Sequence, residues 1–386
     1  MKTYLPTYDE AQQMVDVNGT MVFYETYRFI DGFKVSTFNY RYPTFANFIK
    51  PLENSVANAG ELRGLTFVFN EDGSLFKRYL LMKKFWNINQ VPESLYDTIK
   101  NYKQISAYNK EDGSLISFIK LPNGKVIAKT KMGFDNYQTE EAERIYYSNT
   151  KIKDFVNKCL ANEIVSMWEF VSFKNRIVIN YDKPNLILIK MRDNNTGQYL
   201  DLEDYRNDDF DVVNQENITV DDAIKLSYTL TNKEGWVFTL EKSNGEQLMV
   251  KQKTQDYFDR HNLLTNEMNR EDYVIKAILN NEIDDILSQL TENDTDKKEF
   301  INNIESVIVD FLNEREAELI NLIDKYNGDK KDFALRYKKD KNFGLSMIVI
   351  NGKLTVQETC ISFLLKNTKK LQDAQSFIKR KGFKRK

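Results

Sequence analysis

Residues 105–131 read ISAYNKEDGSLISFIKLPNGKVIAKTK, and this stretch decides the fold class. Three runs rich in β-branched and aromatic residues, Ile105 to Tyr108, Leu115 to Leu121 and Lys125 to Lys129, are separated by Asp112-Gly113 and Asn123-Gly124. Short apolar runs bounded by such dipeptides predict strands joined by tight turns, because Asn, Asp and Gly tolerate the positive φ that hairpin turns require. Both copies of Glu-Asp-Gly-Ser-Leu, at 71–75 and 111–115, are expected to form hairpin turns.

The same pattern extends outward. Leu65 to Phe69, Val165 to Val171, Arg176 to Tyr181, Leu186 to Met191, Trp236 to Leu240 and Gln247 to Lys253 read as strands, with Asp72-Gly73, Thr196-Gly197 and Asn244-Gly245 as further turn signals. One long helix is expected between them, from about Thr139 to Asn162, with Thr139 as N-cap and Glu140, Glu141 and Glu143 at the positive end of its dipole. Beyond His261 the period changes. Glu271 to Leu290, Lys298 to Tyr326 and Val356 to Phe377 repeat apolar residues at helical spacing, and Asn327-Gly328-Asp329 and Asn351-Gly352 read as breaks. The expected fold is α+β: a mainly antiparallel-sheet domain over 1–258, then an all-helical domain over 262–386.

Composition narrows the chemistry. The chain has 386 residues and a net charge of −2, so any basic surface is local. Cys159 and Cys360, isolated in different segments, argue against a disulfide scaffold and for a reducing, cytoplasmic setting. No apolar run is long enough to span a membrane, and MKTYLPTYDEAQQ lacks the apolar core of a signal peptide. With His261 the single histidine, two-histidine zinc sites are excluded, and acid, base and nucleophile work falls mainly on Lys, Glu, Asp and Tyr.

Only the second Glu-Asp-Gly-Ser-Leu follows a lysine, giving Lys110-Glu111-Asp112-Gly113. This K-x-D-G resembles the nucleophile signature of covalent nucleotidyltransferases, in which the lysine amine attacks the α-phosphorus of a nucleotide. Such an amine must be neutral, and nearby cations or a metal lower its pKa. Lys251-Gln252-Lys253 lies on an expected strand, whose alternation puts both lysines on one face. Alone, that is an ordinary solvated strand; beside an adenylated lysine it becomes a phosphate clamp.

Taken in order, these elements resemble the bacteriophage RNA ligase 1 family, the ATP-dependent tRNA-repair ligases of T-even phages. Glu61-Leu62-Arg63-Gly64, Lys84-Phe85-Trp86-Asn87, Lys110 to Gly113 and Lys129-Thr130-Lys131-Met132-Gly133 are similar to successive family elements. So are Trp168-Glu169-Phe170-Val171 followed by Asn175-Arg176-Ile177-Val178, then Arg192 to Gly197, Glu234-Gly235 and Lys251 to Lys253. Met132 departs from the basic S-K-G pattern by separating Lys131 from Gly133, which puts the role of Lys131 in doubt. Tyr257, His261 and Asp284-Asp285 fall where the family has Tyr, His and a magnesium-holding Asp-Asp pair.

The resemblance implies an ATP-grasp-like nucleotidyltransferase domain followed by a helical RNA-specificity domain. It implies Lys110 as the AMP-bearing nucleophile, assisted by Arg63, Lys251 and Lys253. It places Arg63, Lys84, Lys110, Glu169, Glu234, Lys251 and Lys253 around ATP, with Glu169 on the ribose and both clamp lysines on the α-phosphate. It places Glu234, Tyr257, Asp284 and Asp285 near Mg²⁺. The implied partners are ATP, Mg²⁺ and RNA, the RNA being a cleaved tRNA prepared by a separate kinase and phosphatase and sealed by a monomer. Two other readings stay open: a capping-type enzyme using GTP, and a non-catalytic RNA-binding protein on a ligase scaffold. Asp284 and Asp285 also read as a solvated helix face. The C-terminal run from Lys369, with eight cations against Asp373, reads either as a frayed solvated end or as a contact with RNA phosphates.

Overall fold

A computed structural model describes residues 5–19, 22–40, 45, 48, 52, 57–172, 181, 183–257, 271–279, 283, 287 and 295–366. The chain divides into two compact units, Met1–Leu263 and Leu264–Lys386.

The strands of the first unit are β1 (Phe23–Ile30), β2 (Phe33–Tyr40), β3 (Leu65–Phe69), β4 (Leu75–Tyr79), β5 (Trp86–Asn87), β6 (Lys103–Asn109), β7 (Ser114–Lys120), β8 (Val126–Lys129), β9 (Ile164–Val171), β10 (Asn185–Asp193), β11 (Gly235–Glu241) and β12 (Gln247–Lys253). They form three sheets, ordered β1-β2-β3-β4, β10-β9-β7-β8 and β5-β12-β11-β6. The β5–β12 pair is parallel, and the other pairs named in these orders are antiparallel.

Each sheet buries an aromatic-rich face. On the first, Ala11 and Met14 of the helix Tyr8–Asn18 pack with Phe23, Phe38 and Phe67. On the second, Tyr146, Ile152 and Val156 pack with Phe118 and Trp168. On the third, Trp236, Phe238 and Val250 pack with Ala223 of the helix Val220–Leu226. Sequence expectation and structure agree end to end for β3 and β12. The expected strand Arg176 to Tyr181 lies, except for Tyr181, outside the described residues.

The single helix expected over 139–162 is two, Tyr137–Ser148 and Thr150–Ala161. Between them Asn149 is extended, at φ −107° and ψ 102°, and its side chain accepts from the N–H groups of Lys151 and Ile152. An Asn that caps a new helix ends the previous one. The N-cap of the first is Asn136, not Thr139. Thr139 is the third helical residue and closes a reciprocal capping box with Asn136.

In the second unit the helix Thr295–Ile323 packs against Glu271–Leu279, Phe343–Ile350 and Val356–Lys366. Gly328 and Gly352, at φ +94° and +70°, lie in the links between helices where breaks were expected. Asp329 caps a further helix, Lys330–Tyr337, which the periodicity did not reveal. Phe333 of that helix is buried and packs on Tyr326, Tyr337 and Phe343, so it is core rather than a stacking platform. No helix among the described residues is long and apolar enough to cross a membrane.

Candidate active site

Lys110 lies in a link between two sheets. β6 belongs to the third sheet and β7 to the second, and residues 110–113 carry the chain from one to the other. The expectation of a hairpin turn at Asp112-Gly113 is therefore corrected: β7 pairs with β8 and β9, not with β6. The glycine serves close approach instead. A Cβ on Gly113 would lie 2.4 Å from the Phe170 carbonyl oxygen and 3.0 Å from Glu169 Cγ. Its absence lets the lysine turn press directly on β9, the strand that carries Glu169.

A second glycine sets the other wall. Gly235 has φ +150°, and a Cβ there would meet the Gln252 carbonyl oxygen at 2.0 Å. Gly235 pairs with Lys253 across β11 and β12, and its carbonyl accepts the Lys110 N–H at 2.9 Å. These contacts bring three charged side chains together. Glu234 Oε1 lies 2.8 Å from Lys110 Nζ and 3.2 Å from Lys253 Nζ. Glu234 and Lys253 are buried, while Lys110 keeps 23% of its side chain exposed. A buried carboxylate bridging two ammonium groups repays its desolvation only through such contacts.

Glu169 is buried beside this triad, and burial pushes its carboxyl up to about 8. Lys110 opposes the rise, whereas Glu234, Asp112 and Glu111 add to it. At neutral pH this side chain is mostly protonated and can donate one hydrogen bond as well as accept.

Two tyrosines hold the lysine turn. Tyr257 Oη donates to Asp112 Oδ1 at 3.1 Å, and its ring lies 4.8 Å from Lys253 Nζ. Tyr181 Oη accepts the Asp112 N–H at 3.1 Å and donates to Glu111 Oε2 at 2.9 Å. Asp112 is 1% exposed, so these contacts stand where water would otherwise bond it.

Further cations flank the site on aromatic rings. The Arg63 guanidinium lies 5.9 Å and Lys251 Nζ 6.0 Å from the centroid of Phe85. Lys84 Nζ lies 4.4 Å from Trp86 and 5.2 Å from Tyr40, and Lys131 Nζ lies 4.5 Å from Tyr40. Trp86 and Asn87 pair with Val250 and Lys251, so Lys84 enters beside the clamp strand. Ring faces attract cations at these distances and space like charges apart without neutralising them.

Of the residues singled out from sequence, Lys110, Glu234 and Lys253 are in direct contact. Glu169 and Tyr257 adjoin them, and Arg63, Lys84 and Lys251 stand on the rings described. His261, Asp284 and Asp285 lie outside the described residues, as does the C-terminal basic run. Among the described residues no group of three His, Cys, Asp or Glu side chains is arranged to hold a metal by itself. Glu234 still offers a carboxylate beside Lys110, a hard oxygen donor that suits a divalent cation shared with substrate phosphates and water.

The support beneath these residues was not foreseen. Arg192 and Glu61 form a buried bidentate pair, both contacts at 2.7 Å, and Arg192 also donates to the Leu81 and Gly197 carbonyls. Lys84 N–H donates to the Gly60 carbonyl, and Lys83 N–H to Tyr199 Oη. One latch thereby fixes the segments bearing Arg63 and Lys84. Lys129 is buried, donates to the Gly64 carbonyl at 2.8 Å, and is pushed down to about 7 by burial and then by Arg63. The Arg192 to Gly197 motif was the available signal for the latch; Glu61 had none beyond its place two residues before Arg63.

Comparison with known proteins identifies the family. A family model described as RNA ligase matches residues 61–342. A protein of Thermovibrio ammonificans, named provisionally as an RNA ligase, is 30% identical over 275 residues, which span 70% of this chain and 68% of that protein. Among solved structures, an archaeal ATP-dependent RNA ligase aligns over 87% of this chain and 88% of its own at 13% identity and a TM-score of 0.47. A mutant Naegleria gruberi RNA ligase with AMP and manganese aligns over 47% of this chain and 58% of its own, at 16% identity and a TM-score of 0.36. The family match spans well over half of the chain, and the protein belongs to the RNA ligase family.

Proposed function

We propose that this protein is an ATP-dependent RNA ligase that joins a 5′-phosphate to a 3′-hydroxyl through a lysyl-AMP intermediate on Lys110. The observation that carries this reading is the partly exposed Lys110 ammonium held against buried Glu234, with Lys253 on the same carboxylate. Arg63, Lys84 and Lys251 supply nearby positive charge for phosphates.

In the first step the Lys110 amine, having lost a proton, attacks the α-phosphorus of ATP. A P–N bond forms and pyrophosphate leaves. An oxygen of the RNA 5′-phosphate then attacks the same phosphorus and releases the lysine. Finally a 3′-hydroxyl attacks the activated 5′-phosphorus, loses its proton and displaces AMP. Each step is substitution at phosphorus, so the protein chiefly positions groups and offsets charge. Lys251 and Lys253 hold the α-phosphate, Arg63 and Lys84 the remaining phosphates, and Glu169 the ribose. Glu234 would hold a divalent cation, which when bound would offset phosphate charge and favour departure of pyrophosphate.

The helical unit is proposed to select the RNA, with cleaved tRNA as substrate and end-healing left to a separate enzyme. Incubation with Mg²⁺ and α-labelled ATP or GTP tests the reading. ATP-specific covalent label is expected, lost in Lys110→Ala and transferred to 5′-phosphorylated RNA. Label from GTP alone would indicate capping chemistry, and no label from either would overturn the enzyme assignment.

A further inference from the structure

Charge in the helical unit is segregated. The helix Thr295–Ile323 carries seven acidic residues, Asp296, Glu299, Glu305, Asp310, Glu314, Glu316 and Glu318, against three cations. Residues 330–341, KKDFALRYKKDK, carry six cations against Asp332 and Asp340. A local excess of four positive charges in a chain of net charge −2 calls for an anionic partner.

Three of these cations already have uses within the unit. Arg336 pairs with Asp332 at 2.9 Å, Lys341 with Glu318 at 3.0 Å, and Lys330 Nζ donates to Asn351 Oδ1 at 2.6 Å. Lys331, Lys338 and Lys339 are exposed, and none of the described residues pairs with them. Lys331, Leu335 and Lys338 follow at helical spacing and so share one face. Leu335 stands 66% exposed between the two lysines, an apolar side chain set in a cationic strip. The opposite face anchors the strip, because Phe333 is 1% exposed and packed on three aromatic rings.

We infer that Lys331, Leu335, Lys338 and Lys339 form a docking strip for the phosphate backbone of single-stranded RNA. This inference rests on the ligase reading above, which makes RNA the polyanion the protein must hold. Side chains three and four apart on a helix stand roughly 5–6 Å apart at their Cβ atoms, and long lysine stems can reach successive phosphates. Leu335 offers the apolar contact that an unstacked base or ribose can cover, as single-strand surfaces combine charge with apolar platforms. The strip reads charge, not sequence.

The test is the full-length triple variant Lys331→Gln/Lys338→Gln/Lys339→Gln. Binding of a 5′-phosphorylated single-stranded RNA is measured across a KCl series, alongside covalent labelling by ATP. Removing three phosphate contacts is expected to make the slope of log K against log salt shallower by about 2, and to weaken binding roughly tenfold or more at moderate salt. Labelling by ATP is expected to be unchanged, which also shows that the variant folds. An unchanged salt slope and affinity in a protein that still labels would overturn the strip. Failure of the unaltered protein to label would instead overturn the ligase reading. A control variant, Lys100→Gln/Lys125→Gln/Lys225→Gln, removes three exposed lysines of the first unit. If it lowered the slope equally, the effect would be general charge and the strip would fall.

Discussion

The pentapeptide Glu-Asp-Gly-Ser-Leu occurs twice, and the two copies do opposite things. At 71–75 it closes the β3–β4 hairpin. Asp72 Oδ1 accepts from the Ser74 N–H and hydroxyl, Gly73 takes φ +82°, and a Cβ on that glycine would meet nothing within 4 Å. At 111–115 it crosses between sheets. There Asp112 is 1% exposed and held by two tyrosine hydroxyls, and Gly113 touches β9. Identical local chemistry thus makes a surface turn where both flanking strands pair with each other, and a buried crossing between sheets where they pair elsewhere. What separates the copies is the residue before each, Asn70 against Lys110, together with Gly235, Tyr181 and Tyr257, which act only through the tertiary fold.

The largest expected effect comes from moving the lysine. Lys110→Ala should abolish covalent AMP. Asn70→Lys added to that variant recreates the hexapeptide Lys-Glu-Asp-Gly-Ser-Leu at 70–75 and should restore none, because no Glu234 or Lys253 stands beside it. Mass spectrometry of the ATP-treated double variant decides this, and AMP on the new lysine would show that the local motif suffices.

The glycines come next. Gly113→Ala drives a methyl into the Phe170 carbonyl and should cost about 3 kcal/mol. Gly73→Ala meets open space and pays only for positive φ, about 1 kcal/mol. Urea midpoints of the two variants measure the gap; equal shifts would mean that Gly113 is not packed as described.

This contrast explains how much could be read before the structure. Lys110, Glu234, Lys251 and Lys253 stood out because they lie in elements that resemble, in order, those of a known ligase family, and β3 and β12 because apolar runs end at turn residues. The crossing at 110–113 was illegible, since Asp-Gly fits a hairpin equally well and strand partners are set at long range. β1 and β2 were missed although Asp31-Gly32 between them, both at positive φ, carries the usual turn signal. β2 reads FKVSTFNY, and its polar–apolar alternation slips phase at Thr37, so no single period runs along it. The Glu61–Arg192 latch joins residues 131 apart, and only burial distinguishes it from two solvated charges. The break at Asn149 was hidden because apolar spacing continues across it.

Acid chemistry separates the copies more finely. Asp72 is exposed and its carboxyl is held low by Ser74, whereas the second turn faces Glu169, pushed up to about 8. A carboxyl whose folded pKa is raised stabilises the fold fully below its unfolded pKa, near 4.5, and loses that contribution as pH rises through 8. Glu169→Gln, which keeps the neutral shape and does not titrate, should therefore gain stability relative to the parent by up to about 1.4 kcal/mol per pH unit across that window. Denaturation at pH 5, 7 and 9 provides the measurement. A constant difference between the two proteins would mean that Glu169 ionises as an ordinary carboxylate.

The smallest effects test whether the tyrosine grip positions the nucleophile or merely fills space. Tyr181→Phe removes one hydroxyl that accepts from Asp112 and donates to Glu111, with little change in volume. A lost hydrogen bond at a partly buried site should cost about 1 kcal/mol in stability. If the grip aims Lys110, the rate of lysyl-AMP formation should fall roughly fivefold while KM for ATP stays constant, since a misaimed nucleophile lowers reactivity without weakening ground-state binding. Ser74→Ala is the matched change in the first copy, removing the hydroxyl that donates to Asp72. Its turn is exposed, so water replaces the lost partner, stability should move by less than about 0.5 kcal/mol, and labelling should not change. A Tyr181→Phe protein that labels at the parental rate would reduce the grip to packing, leaving the close approaches at Gly113 and Gly235 as what distinguishes the second copy.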